Sequence, residues 1–131
     1  NSTSAKMLEN KKVSEIMQKE VEIISQDLPI NDALKEMDEE KHSFCPVVDA
    51  KDRLIGAILK SDIEDVLINC GNKDLKVKDI METNIITAEA DLNLYTLYFR
   101  LHASNYDKAI VINEEKKVLG IVSRYDIQEI L

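Results

Sequence analysis

The sequence predicts an α/β chain in the α+β sense, two copies of one motif stacked on each other, each a small three-stranded sheet packed with two helices. Three observations carry this. An ungapped slide of 64 residues lays the second half of the chain on the first, so Val13-Ser14-Glu15-Ile16-Met17 falls on Val77-Lys78-Asp79-Ile80-Met81 and Gly56–Ile63 falls on Gly120–Ile127. Apolar residues recur at i, i+3, i+4, i+7 once in each copy, the signature of an amphipathic helix. Each copy also holds two apolar, β-branched-rich runs joined by a short polar loop, a hairpin signal. A copy of about 55 residues is too small to bury a good core alone, so two are expected to share one and to leave a cleft between related surfaces.

The elements follow in the same order in both copies. A short helix-like piece opens each, Val13–Met17 and Val77–Met81. A β-prone run comes next, Val21–Ser25 and Ile85–Thr87. The helical stripes are Ile30, Ala33, Leu34, Met37 and Leu94, Leu97, Tyr98, Leu101. Asp27 and Asp91 precede these helices and suit their positive N-terminal ends. The hairpins are Cys45–Asp49 with Leu54–Leu59 and Ala109–Asn113 with Val118–Val122. Final helices cover about Ser61–Ile68 and Arg124–Leu131. The expected organisation is a polar N-terminal tail over 1–11, repeat 1 over 12–68, a polar linker over 69–75 and repeat 2 over 76–131. At this register eleven positions are identical, Gly56/Gly120 and Asp62/Asp126 among them.

Composition narrows the function. The 131 residues are 44% hydrophobic, which permits a real core, and carry a net charge of −8. That balance argues against non-specific nucleic-acid binding, which depends on Lys and Arg neutralising phosphates. A small anionic ligand stays open, because a pocket can be locally basic. Cys45 and Cys70 show no CxxC or metal-like spacing and read as reduced thiols of a cytoplasmic protein. No apolar run approaches the ~20 residues that span a bilayer, and the N-terminus has no signal-peptide pattern.

The two openings, the segment Phe44-Cys45-Pro46-Val47-Val48-Asp49 and the stretches Gly56–Asp62 and Gly120–Asp126 together resemble the cystathionine-β-synthase (CBS) domain. The tandem is similar to a CBS pair, or Bateman module, over about residues 12–131. The resemblance implies pseudo-twofold packing of the copies, an adenine nucleotide (AMP, ADP or ATP, with S-adenosylmethionine as a further candidate) in the inter-repeat clefts, and a homodimer. It implies a regulatory role toward an attached or separate enzyme or transporter, with no cofactor required.

In Ser123-Arg124-Tyr125-Asp126 the hydroxyl and the N–H groups at a helix start suit a phosphate. Arg124 adds a positive charge, and Asp126, acceptor-only when ionised, suits two ribose hydroxyls. Ser-x-x-Asp is equally a helix-capping pattern. The resemblance makes each cleft a hybrid of both copies. The better one combines Ser123, Arg124 and Asp126 with Ile23, Phe44, Cys45 and Pro46, where Phe44 and Pro46, on one side of an extended segment, can clamp a base or simply fill core. The second combines Lys60 and Asp62 with Thr87, Tyr106, Lys108 and Ala109. Each departs from the family pattern. Leu59 stands where the other copy has Ser123, Ile23 where the family often has Thr, and Ile110 where the other copy has Pro46. Ser61 with Glu64 offers a substitute cap for the first copy.

No Ser–His–Asp order, His-Glu-x-x-His or Gly-Lys-Ser/Thr phosphate loop is present. His42 and His102 read as structural, and Tyr95, Tyr98 and Phe99 as core or a dimer face. The expectation is a non-catalytic nucleotide sensor. The alternative is a structural dimerisation module with degenerate, empty clefts.

Overall fold

Hydrophobic periodicity and turn chemistry place the elements of residues 12–131 close to where the sequence puts them. The computed structural model describes residues 3–71 and 74–131. The elements are α1 (Thr3–Glu9), β1 (Ile24–Ser25), α2 (Ile30–Glu40), β2 (Phe44–Val48), β3 (Leu54–Leu59), α3 (Lys60–Cys70), α4 (Val77–Ile80), β4 (Ile86–Ala88), α5 (Leu94–Ala103), β5 (Lys108–Ile112), β6 (Val118–Ser123) and α6 (Arg124–Gln128). Two three-stranded sheets form, ordered β1-β2-β3 and β4-β5-β6. In each, the first pair is parallel and the second antiparallel.

The chain gathers into two compact units, one of residues 22–84 and one of residues 1–21 with 85–131. In the first, Ile24, Ile30, Ala33, Met37, Cys45, Val47, Ile58, Ile63 and Val77 form the core. The second is built around Leu8, Val13, Leu94, Leu97, Leu101, Val111, Val122 and Ile127. The predicted helical stripes are thus the buried faces of α2 and α5.

The opening segments lie on the sheet of the other repeat. The N–H groups of Val77 and Lys78 donate to the carbonyls of Leu28 (2.8 Å) and Gln26 (2.9 Å), and Ala57 and Glu82 exchange backbone bonds. In the other unit Val13 and Ser14 donate to Leu92 and Ala90 (both 2.8 Å), and Gln18 exchanges bonds with Ile121. The spatial units are therefore offset from the sequence repeats, and the chain crosses between them after Val21 and after Asn84.

Both hairpins turn by the same chemistry. Asp49 Oδ1 accepts the N–H groups of Lys51 (2.9 Å) and Arg53 (3.0 Å), and Asn113 Oδ1 accepts those of Glu115 (3.0 Å) and Lys117 (2.9 Å). A short Asx side chain bonding forward to its own backbone mimics a turn. The Asp49 carboxyl is accordingly held below its ordinary pKa, by the Arg53 N–H first.

Four local expectations change. The N-terminal segment expected as a polar tail forms α1 and buries Leu8. β1 is shorter than the Val21–Ser25 run, because Ile24 and Ser25 pair with Val47 and Val48 and the next partner would be Pro46, which has no N–H to donate. Asp91 does not cap its helix; Asn93 does, its Oδ1 accepting the Thr96 N–H at 2.9 Å. The Ser61–Glu64 cap does not form, since α3 already starts at Lys60 behind Leu59, which has no side-chain acceptor.

Candidate functional site

The best-developed polar corner lies where β6 meets α6. Antiparallel pairing sets Ser123 opposite Lys108. There the strand ends and Arg124 turns into the helix, its N–H donating to the Asp107 carbonyl at 2.7 Å. Ser123 Oγ accepts the Asp126 N–H at 3.0 Å, while Asp126 Oδ2 accepts the Ser123 N–H at 2.9 Å. The capping reading of Ser-x-x-Asp is thus realised, with both residues half-buried. It uses one carboxylate oxygen of Asp126 and the acceptor side of the Ser123 hydroxyl. The hydroxyl proton and Oδ1 are not used by the cap.

Arg124 is half-buried, and its Nε is shielded from solvent with no hydrogen-bond partner among the described residues. Its guanidinium carbon lies 5.7 Å from the centre of the Tyr125 ring. A buried guanidinium N–H without an acceptor is costly. Lys108 pairs with Asp107 at 3.5 Å. Thr87 sits on β4 opposite Ile110. Ser104 Oγ accepts the Tyr106 N–H at 3.2 Å and shapes the turn into β5.

The equivalent corner of the other unit is poorer. Leu59 presents no hydroxyl and α3 lacks a side-chain cap. Lys60 is engaged by Asp38, whose hydrogen bond and charge raise the ammonium pKa. Asp62 is half-buried. Ile23 is 44% exposed, just outside the shortened β1, whereas Phe44 is half-buried and Pro46 buried in β2. Cys45 is buried. Its Sγ donates to Glu22 Oε1 at 3.6 Å, and burial first, the Glu22 carboxylate second, push the thiol up to about 12.

Thr87, Tyr106, Lys108, Ala109, Ser123, Arg124 and Asp126 therefore belong to one unit, and Ile23, Phe44, Cys45, Pro46, Lys60 and Asp62 to the other. Each hybrid set expected from the resemblance draws on both. Sequence reasoning missed Asp107, whose carbonyl receives Arg124; its signal is its place directly before β5, beside the end of β6. Among the described residues no group of three or more His, Cys, Asp or Glu side chains could hold a metal ion, and no helix is long and apolar enough to cross a membrane.

The CBS domain family matches residues 13–69 and 77–131. The chain belongs to the CBS domain family and carries two copies of it. It is 31% identical over 122 residues to uncharacterized protein MJ1232 of Methanocaldococcus jannaschii, covering 93% of this chain and 40% of that protein. It is 28% identical over 117 residues to inosine-5'-monophosphate dehydrogenase of the same organism, covering 89% of this chain and 23% of the enzyme. The chain thus spans well under half the length of these two relatives. Among solved structures, the CBS domain pair of protein MJ0100 in complex with 5'-methylthioadenosine and S-adenosyl-L-methionine superposes with a TM-score of 0.78 at 25% identity, covering 91% of this chain and 94% of that one.

Proposed function

We propose that this CBS pair is a non-catalytic regulatory module that binds an adenine nucleotide or S-adenosylmethionine and signals to an attached or separate enzyme or transporter. The observation that carries it is the corner at Ser123, Arg124 and Asp126. There the Asp126 carboxylate, suited to ribose hydroxyls, keeps Oδ1 outside the cap, and Arg124, the first residue of the same helix, supplies a guanidinium charge. The adenosine-type ligands of the similar MJ0100 pair support the same class. The candidate ligands are AMP, ADP, ATP and S-adenosylmethionine. The module is read as a cytoplasmic homodimer, in keeping with its two free cysteines and with a reducing compartment. Ligand can signal only by binding one arrangement of the dimer more tightly than another.

Thermal unfolding with AMP, ADP, ATP, S-adenosylmethionine and 5'-methylthioadenosine tests this. A ligand present at about 100 times its Kd stabilises by about 2.7 kcal/mol and raises the midpoint by several degrees. Asp126→Asn keeps an acceptor for the Ser123 N–H but loses the charge, and should weaken that ligand at least about tenfold, a difference of about 1.4 kcal/mol. No shift with any of the five at millimolar concentration rejects the reading.

One observation favours the alternative, a dimerisation module without ligand. Ser123 and Asp126 already satisfy each other's backbone N–H groups. On that reading Asp126→Asn changes stability slightly and no ligand response exists to lose.

A further inference from the structure

The two opening segments dock by the same backbone bonds but carry different side chains. In the unit of residues 22–84 the Lys78 N–H donates to the Gln26 carbonyl at 2.9 Å, and Lys78 Nζ lies 3.2 Å from Asp27 Oδ1. In the other unit the matching bond runs from the Ser14 N–H to the Ala90 carbonyl at 2.8 Å. The 64-residue register puts Asp91 at the place of Asp27. A lysine thus answers the aspartate in one unit, and a short hydroxyl side chain stands in its place in the other. Among the described residues Asp91 has no ion-pair partner.

Asp91 stands on the rim of an open hollow of about 530 Å³. Its walls include Ala90, Ile112 and Leu119, all half-buried, and its rim carries the exposed carboxylates of Glu89, Asp91 and Glu114. The ladder between β5 and β6 steps from Val111–Gly120 to Ile112–Val118 and skips Leu119. Such a bulge re-aims a side chain off the regular pleat. The acidic rim is particular to this repeat, because the other has Ser25 and Ala50 at the places of Glu89 and Glu114. Two added acids, where the answering lysine is missing, favour a cation from outside the unit. Among the described residues no group of three carboxylate, imidazole or thiol side chains could hold a metal ion, so the rim suits separate positive groups. The apolar walls suit an apolar side chain between them.

We infer that this hollow receives a short basic segment of a partner protein, an apolar residue flanked by lysines or arginines. Its positive groups meet Glu89, Asp91 and Glu114, and one of them takes the place that Lys78 fills in the other unit. The apolar residue lies against Ala90, Ile112 and Leu119. An apolar centre within a charged rim is the usual anatomy of such contacts. The inference needs neither the nucleotide nor self-association.

Fluorescence anisotropy of a labelled peptide that alternates lysine with leucine, titrated with the full chain, tests it. The peptide should bind, and less tightly as salt rises. Ser14→Lys, which copies the other repeat, should weaken binding at least about tenfold, as should Glu89→Gln with Glu114→Gln. Glu39→Gln with Glu40→Gln removes the same charge from α2 and should leave binding unchanged. Absence of binding overturns the inference. An equal loss in the α2 variant also overturns it, by showing only general attraction to an acidic chain. Binding indifferent to both Ser14→Lys and the paired Glu89 and Glu114 changes overturns the hollow as the site. Spermidine that displaces the peptide at equal concentration overturns a protein segment as the occupant, because the apolar walls would then add nothing. Glu89 and Glu114 are exposed, so their variants decide the matter even if Ser14→Lys impairs folding.

Discussion

Gly56 and Gly120 hold matching places in the two repeats, and each lies under an opening segment. A Cβ on Gly56 would come within 2.6 Å of the Glu82 carbonyl oxygen and 2.9 Å of Met81 Sδ; on Gly120 it would come within 2.7 Å of the Gln18 carbonyl oxygen and 3.0 Å of Met17. The obstructing atom is backbone, held by the bonds between Ala57 and Glu82 or between Gln18 and Ile121, so neither site relaxes cheaply. Gly56→Ala and Gly120→Ala should each destabilise the chain by about 1–3 kcal/mol in urea titrations. The glycines were legible as a repeated motif, but their reason, a close pass of another segment, was not. Cys45 gives a second test at this scale. Its thiol is raised from an ordinary 9.0 to about 12, by burial first and Glu22 second. Below pH 9 both states carry the neutral thiol. As pH rises further the unfolded chain ionises first, so stability falls through the window up to about 12. Cys45→Ala should flatten that alkaline loss in unfolding measured against pH. The native thiol should resist Ellman's reagent until unfolding, while exposed Cys70 reacts at once.

At the scale of elements, the corners at Ser123 and Leu59 show how one changed residue separates two copies. α6 starts with a reciprocal cap, whereas α3 starts with none. Ser123→Ala should therefore destabilise by about 1 kcal/mol and loosen α6, visible as faster amide exchange at Tyr125 and Asp126. If the corner binds ligand, the same change also lowers affinity, so binding should be compared at matched fractions folded. The first strands differ for a related reason. Thr87 pairs with Ile110 in β4 and β5, but Ile23 would have to pair with Pro46, and β1 stops one residue short. The departures at Ile23 and Pro46 are one structural fact. Helices α2 and α5, both hairpins and the loss of the Ser123 counterpart were readable from spacing and residue type, because those signals are local. α1 was not, since its single buried Leu8 gives no periodic stripe.

At the scale of the whole molecule, the path of the chain matters most. Residues 22–84 are contiguous and carry their own docked opening segment. A fragment of those residues should give a better dispersed amide spectrum and higher helicity than a fragment of residues 12–68, which keeps repeat 1 but loses Val77 and its bonds to Leu28 and Gln26. Equal disorder in both fragments would show that neither unit stands without the other. The sequence by itself determined the two-copy frame, the element types, their buried faces and the polar residues that set the copies apart, because periodicity, turn chemistry and capping act over a few residues. Only the tertiary structure decided which sheet each opening segment joins, that Pro46 shortens β1, and that Ser123 and Asp126 first serve each other as caps. The two repeats offer nearly the same apolar surface to either opening segment. Local pattern cannot choose between two such surfaces; the choice is made when the chain closes and the backbone bonds of Val13, Gln18, Val77 and Glu82 find their partners.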